Sequence, residues 1–326
     1  MNKKKITIII SIIILLISIA IYLIYSPLKS YIITSSMTSM NHKYIATSLY
    51  SNNTIYKVLS KNKIIENNTT TNPNLISING KSIIKDKYDK EILKRKKDTL
   101  YKVIKIKEDT YNGYLVAIYN PKRIFLETAK DLGKEGEYIT SVSERDKASV
   151  VINGGGFYDP NWEGNGAIPH GIVIKDSRLV TSYEMASSIG GLVGFNNDDK
   201  LVLSKSKNYE KFNYRDALEF GPFLIVNGKS SKIVGNGGYG LAPRTAIAQR
   251  QDGIVLLLVI NGRIPSSIGA SMKDLIKIFE RYKAYNAVNM DGGSSTALVI
   301  NNKVINKPVG GSKNGLRKLP TFWVVK

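Results

Sequence analysis

At 326 residues with 43% hydrophobic content, the chain is long enough for one sizeable domain or two modest ones. It has no cysteine and only two histidines, His42 and His170. That excludes disulfides, thiolate nucleophiles, Cys-ligated zinc, iron–sulfur clusters and a His-rich metal centre. A formal charge of +21 attracts polyanions. No nucleic-acid-binding signature accompanies it, so anionic envelope polymers or lipid head groups fit better than nucleic acid. A solvated, lysine-rich surface is the plain alternative.

In chain order, Lys3, Lys4 and Lys5 precede an uncharged run from Ile6 to Tyr25. A helix of that length spans about 30 Å, the thickness of a bilayer core. Residues 1–25 therefore read as a cytoplasmic tip and single-pass anchor, with the rest of the chain extracellular. A cleavable signal peptide is the rival reading, but the exit Ile21-Tyr22-Leu23-Ile24-Tyr25-Ser26-Pro27 lacks small residues for cleavage. Residues 26–97, rich in Ser, Thr, Asn and Lys, read as a stalk or linker, with an amphipathic or coiled stretch over Ile32–Tyr56.

From residue 98 to the end the texture is that of a folded domain. Short apolar runs alternate with Gly/Asn/Asp turns and predict strands at Leu100–Ile106, Tyr114–Tyr119, Val150–Ile152, Ile172–Ile174, Leu192–Phe195 and Phe223–Val226. Further strands are predicted at Thr245–Ala248, Ile254–Ile260, Ala287–Met290, Ala297–Ile300, Val304–Ile305 and Phe322–Val325. Two segments read as helices, Tyr138–Lys147 and Ser271–Tyr282. In the second, Ser271 can cap, Asp274 stands at the third position, and Leu275, Ile278, Phe279 and Tyr282 share a face. The class is α+β: an N-terminal transmembrane helix, then a strand-dominated mixed domain with few helices.

Four glycine-rich corners carry the candidate chemistry. Asn153-Gly154-Gly155-Gly156-Phe157 follows a buried strand, and three glycines in a row point to close backbone approach or an anion nest, with a plain tight turn as the alternative. Asp159-Pro160-Asn161-Trp162-Glu163-Gly164-Asn165-Gly166 has alternating oxygen ligands with Gly in sixth place, like a calcium loop. Its twelfth residue is His170 rather than Glu, so a lid bearing Trp162 fits better. Arg244-Thr245 opens a strand where an arginine suits bidentate phosphate recognition. Asp291-Gly292-Gly293-Ser294-Ser295-Thr296 puts a carboxylate and three hydroxyls just past a strand end, a common ligand site, although Asp-Gly is also a hairpin turn.

Taken in order, these corners resemble the phosphodiester glycosidase family. The matching residues are Val150 to Phe157, Gly171 to Ile174, Gly221 to Gly228, Pro243 to Ile247 and Asn286 to Ala297. The similarity runs from about Tyr111 to the C-terminus. Two departures stand out: Ala248 where the family usually has Gly, and Asn261-Gly262-Arg263 where many members carry Asp-Gly-Arg. The resemblance implies hydrolysis of a sugar-1-phosphodiester at the anomeric C–O bond, on an envelope glycan or glycolipid. Bacterial members are often described in terms of exopolysaccharide biosynthesis.

On that reading Asp291 is general base or oxocarbenium stabiliser, Glu219 the reserve carboxylate with Glu163 behind it, and His170 a donor to the leaving group or a part of the lid. Substrate and phosphate fall to Asn153, Gly154, Gly155, Gly156, Phe157, Arg244, Thr245, Gly292, Gly293, Ser294, Ser295 and Thr296. No metal ligand set is assigned and no cofactor is required, with a divalent cation left open. Two rivals remain. One is a serine hydrolase built from Ser294 or Ser295, His170 and Asp291, which lacks the Gly-x-Ser-x-Gly elbow. The other is a non-catalytic binder of anionic polysaccharide.

Overall fold

Side chains alternate across a strand, so a strand that is apolar at every position needs a layer on each face. Val255–Ile260 is such a strand: all six residues are fully buried. The chain is described here from a computed structural model that covers residues 3–25, 27–39, 42–159, 164–183, 190–205, 209–310 and 314–326. It divides into two compact units, Met1–Lys63 with Val234–Gly240, and Ile64–Ile233 with Leu241–Lys326.

The larger unit is built on three antiparallel sheets. One is seven-stranded, with the order Lys229–Ser230, Phe223–Val226, Ala284–Asn289, Arg244–Arg250, Val255–Ile260, Asn112–Ile118 and Tyr101–Lys107. A five-stranded sheet runs Lys303–Val304, Leu298–Ile300, Val150–Asn153, Thr321–Val325 and Ile124–Thr128. The other five-stranded sheet runs Arg178–Tyr183, Gly171–Lys175, Tyr214–Phe220, Gly191–Asn196 and Leu201–Ser204. A single core draws on all three: Val255, Leu257 and Val259 from the first, Ile152, Trp323 and Val325 from the second, Phe195, Leu203 and Leu218 from the third. At its centre Phe195 and Trp323 meet edge to face, ring centroids 5.7 Å apart. The other face of the Val150–Asn153 sheet is covered with the help of the helix Ile139–Arg145, whose Ile139 and Val142 pack with Val151 and Phe322.

The smaller unit is helical. Lys3–Tyr25 is the one helix among the described residues long and apolar enough to cross a membrane. Leu28–Met37, Lys43–Leu49 and Asn52–Lys61 follow, with Ile33, Ala46 and Ile55 buried together. Asn236, from the distant Val234–Gly240 segment, donates to Thr34 Oγ1 at 2.9 Å, and its N–H donates to Asn62 Oδ1 at 2.7 Å.

The predicted strands and both helices after residue 98 are present, most with ends within two residues. Ile124–Thr128, Arg178–Tyr183, Leu201–Ser204 and Tyr214–Phe220 were not anticipated. Tyr214–Phe220 hides because it carries charges, and the fold satisfies them: Arg215 pairs with Asp216 at 2.9 Å and with Asp199.

The largest difference lies in residues 26–97, expected as a stalk. Residues 28–61 are mostly helical, and from Ile64 onward the segment belongs to the larger unit. The Thr71 N–H donates to Leu203 O and the Leu203 N–H to Thr71 Oγ1, both at 3.0 Å, while Ile76 and Ile92 are buried. Glu66 accepts the N–H groups of Phe223 (2.6 Å) and Gly190 (3.1 Å) and pairs with Lys205. Polar composition reads as linker only when those polar groups lack partners. Here they have them.

The helix Met272–Arg281, which lies against Phe223–Val226 and Ala284–Asn289, begins with the anticipated capping box. Ser271 Oγ accepts the Asp274 N–H at 3.3 Å, and Asp274 accepts the Ser271 N–H at 2.9 Å. Ser271→Ala should lower the stability of the larger unit by about 1 kcal/mol. Urea unfolding followed by circular dichroism measures this, and an unchanged midpoint would show the cap to be idle.

Candidate active site

The strand Ala284–Asn289 ends where the backbone N–H of Met290 donates to Thr245 O at 2.8 Å. The next residue, Asp291, leaves the sheet. Its N–H donates to Gly154 O at 3.1 Å, so the first and fourth glycine corners lie side by side. Asn153 joins them. Its Nδ2 donates to Asp291 O at 2.7 Å, and its Oδ1 accepts Thr245 Oγ1 at 2.7 Å and the Ala297 N–H at 3.2 Å. Asn153 and Thr245 are 1% and 0% exposed. Their hydrogen bonds tie the strand Val150–Asn153 to Arg244–Arg250 and to the turn after Asp291.

Asp291 is partly exposed as a residue, yet its carboxyl is crowded by protein, and desolvation pushes its pKa up to about 6. Ser295 hydrogen-bonds to the carboxylate, the Gly292 N–H donates to Oδ1 at 3.0 Å, and the Arg317 cation attracts it; all three oppose the shift. Asp159 adds to the rise by repulsion. Arg317 also donates to Asp159 Oδ2 at 2.6 Å and lies over the Phe157 ring, 4.5 Å from its centroid. Asp159 Oδ1 accepts the Gly164 N–H at 2.7 Å. The calcium-like loop thus has its first carboxylate tied to an arginine and an amide. Among the described residues no group of three or more acidic or histidine side chains is placed to hold a metal ion.

The three-glycine corner differs from the expected phosphate nest. The Gly154 N–H donates to Thr321 O at 2.9 Å and the Gly155 N–H to Thr321 Oγ1 at 3.1 Å, so both amides are engaged by the neighbouring strand. None of the three glycines has a positive φ. Close packing explains them instead: a Cβ on Gly156 would stand 2.9 Å from the Phe220 ring, and one on Gly154 would meet Thr321.

Arg244 is buried, donates from Nε to Ala270 O at 2.9 Å, and lies beside Gly292. Gly293, with φ of 60°, has the Arg263 guanidinium against it: a Cβ there would lie 3.4 Å from Nη2. Ser294 is half-buried, while Ser295 and Thr296 are buried, and Thr296 Oγ1 has no hydrogen-bond partner among the described residues. Asn261, at the departure from Asp-Gly-Arg, is a brace: Nδ2 donates to Asn112 Oδ1 and Oδ1 accepts the Lys307 N–H.

Glu219 Oε2 accepts the Ile172 N–H at 3.2 Å, and its side chain presses on Gly171. The carboxyl whose repulsion raises Asp291 is Asp159. His170 is half-buried, its N–H donates to Gly156 O at 2.9 Å, and burial lowers its pKa, leaving it neutral at pH 7. No hydrogen bond joins it to Ser294 or Ser295, and Ser295 bonds to Asp291 directly, which is not the relay of a serine hydrolase. Trp162 and Glu163 lie outside the described residues. Sequence alone does not mark Asp159 as a charge partner of Asp291, and it assigns no role to Arg317 or to Arg263. Arg263 stands out only within the departing Asn261-Gly262-Arg263 motif; Arg317 has no local signal.

An Asp whose pKa rises from 3.8 to about 6 on folding destabilises the folded state once it ionises. The penalty is nearly absent by about pH 3, where both states are protonated, and nearly complete above about pH 7. Asp291→Asn should therefore stabilise the protein by about 3 kcal/mol at pH 7.5 and by almost nothing at about pH 3. Melting curves of the two proteins across that range check the sign; equal stability at pH 7.5 would mean the carboxyl is well solvated.

A family model described as phosphodiester glycosidase matches residues 146–326. Among curated proteins, this chain is 28% identical over 186 residues to the SPbeta prophage-derived uncharacterized protein YomE of Bacillus subtilis (strain 168). That alignment spans 52% of this chain and only 27% of the relative. Among solved structures, it is similar to the catalytic domain of zebrafish N-acetylglucosamine-1-phosphodiester alpha-N-acetylglucosaminidase, auto-inhibited by its pro-peptide. The TM-score is 0.56 at 19% identity, over 71% of this chain and 85% of that one, a likeness of fold. The family model covers more than half of the chain and contains Asn153, Asp159, Arg244, Asp291 and Arg317, so the chain belongs to the phosphodiester glycosidase family.

Proposed function

We propose that this protein is an extracytoplasmic hydrolase that cleaves the anomeric C–O bond of a sugar-1-phosphodiester in an envelope glycan or glycolipid. The observation that carries the reading is Asp291: a desolvated carboxyl with a pKa of about 6, at a strand end, beside a turn flanked by guanidinium groups. Family membership supports the reaction class. The exposed apolar helix Lys3–Tyr25 supports a single-pass anchor with a cytoplasmic N-terminus, and the basic surface suits an anionic polymer.

In the proposed step, water attacks the anomeric carbon as the bond from that carbon to the phosphate oxygen breaks. The electron pair leaves with the phosphomonoester, and the proton of the attacking water passes to Asp291. A carboxylate with a pKa near 6 is ionised at neutral pH and a stronger base than an ordinary aspartate. A phosphate leaving group is already a stable anion, so the site does not depend on a strong acid opposite Asp291. Arg244 binds the phosphate. Arg317 and Asp159 set the electrostatic environment of the base.

The test incubates the full chain in detergent with a GlcNAc-1-phosphodiester and measures free sugar and phosphomonoester. Release by wild type and loss in Asp291→Asn is the expected result. No release from this or from teichoic-acid and lipid-linked sugar phosphates, alongside tight polymer binding that survives Asp291→Asn, would favour the non-catalytic binder instead. Because Asp291 must be ionised to act, kcat/KM should rise with pH and level off above about 6. Arg317→Ala, which removes the attracting cation and frees the Asp159 charge, should move that limb to higher pH; an unmoved limb would take Arg317 out of the account. Arg244→Ala should lose on the order of 100-fold in kcat/KM. A loss under about threefold would remove Arg244 from the mechanism.

A further inference from the structure

Most arginines of the larger unit have a structural partner. Arg145, Arg215, Arg250, Arg281 and Arg317 pair with carboxylates. Arg263 does not. Its guanidinium makes no hydrogen bond or ion pair with any described residue, although it sits close enough to protein for desolvation to lower its pKa. The cation acting on Asp291 is Arg317, so the loop's own carboxylate does not neutralise Arg263.

The backbone holds it there at some strain. Arg263 is left-handed, with φ of 57°, fixed by its N–H donating to Ile268 O at 3.0 Å. Non-glycine residues in that region concentrate at functional sites. Across from it, Gly293 takes φ of 60° and offers no side chain. A Cβ at Gly293 would stand 3.4 Å from Arg263 Nη2, and one at Gly292 would stand 3.8 Å from Arg244 Nη1. Two guanidinium groups therefore flank one two-glycine turn, directly after the candidate base. Bringing an unpaired, partly desolvated cation next to another is unfavourable unless an anion joins them.

We propose that Arg263 is a second phosphate-binding residue of this site, sharing with Arg244 the two non-bridging oxygens of a glycosyl phosphodiester and so selecting anionic over neutral glycosides. The inference rests on the hydrolase reading for its substrate. Its anion-binding core is tested separately.

The probe is GlcNAc-1-phosphate, titrated calorimetrically into the full chain in detergent, beside Arg263→Gln and Arg263→Lys. Arg263 has no side-chain hydrogen bond or ion pair with a described residue to lose, so both variants should fold and melt like wild type. Arg263→Gln should weaken GlcNAc-1-phosphate binding by about tenfold to a hundredfold, the scale of a charge-assisted contact, and leave free GlcNAc binding unchanged. Arg263→Lys should recover part of the loss, since it restores charge without the planar fork. With a GlcNAc-1-phosphodiester as substrate, the Gln variant should raise KM more than it lowers kcat. If wild type turns the diester over and Arg263→Gln is within threefold in both affinity and KM, the proposal falls and the hydrolase reading stands. If wild type turns nothing over but binds GlcNAc-1-phosphate through Arg263, the anion site stands and the hydrolase reading falls. Absence of any GlcNAc-1-phosphate binding by wild type overturns the proposal outright.

Discussion

One buried amide holds the candidate site together. Asn153 closes the strand Val150–Asn153 and uses both ends of its side chain: Nδ2 on the Asp291 carbonyl, Oδ1 on the Thr245 hydroxyl and the Ala297 amide. Those partners come from the seven-stranded sheet and from both ends of the Asp291 turn. Without the amide, three buried polar groups would lose their partner, at about 1–3 kcal/mol each. A side chain that accepts twice and also donates is needed there, and aspartate, isosteric but without the donor, does not meet that need. Together with the Asp291 N–H on Gly154 O, this amide fixes the backbone of Asp291 against the strand Val150–Asn153.

The electrostatics follow from that placement. Holding Asp291 against protein removes water from its carboxyl, and desolvation outweighs the hydrogen bonds from Ser295 and Gly292 and the attraction of Arg317. Arg317 divides its influence, since it bonds to Asp159 while attracting Asp291. The Gly154 and Gly155 amides are engaged by Thr321. The guanidinium groups of Arg244 and Arg263 stand beside Gly292 and Gly293. The glycines still matter, as the absence of bulk that lets those groups approach.

What could be read beforehand had local signals. The capping box at Ser271, the fully apolar strand Ile254–Ile260 and the strand-to-turn switch at Asp291 are patterns within a few residues, and each is present. Segment 26–97 was misread because polar residues look the same whether they face water or another strand; Thr71 and Glu66 show the second case. The Glu219 carboxylate accepts the Ile172 N–H at the start of the strand Gly171–Lys175, a contact its neighbours in sequence do not signal. Arg317 and Asp159 reach Asp291 from loops far along the chain, and nothing in their own surroundings announces it. The site's ingredients were local, but its electrostatic partners were set by long-range topology.

The same contrast explains why a site of this kind can be built with so few titratable groups. A glycosidase that expels an alkoxide needs an acid and a base whose pKa values are pushed apart, and hence two distinct environments. With phosphate as the leaving group, the demand moves from proton donation to anion binding, which guanidinium groups meet at any physiological pH. Only one carboxyl then has to be tuned. Here Asp291 is raised by desolvation while Asp159 is engaged by Arg317 and Gly164. Desolvating Asp291 destabilises the folded state whenever that carboxyl is ionised, so a purely structural role would favour asparagine at position 291.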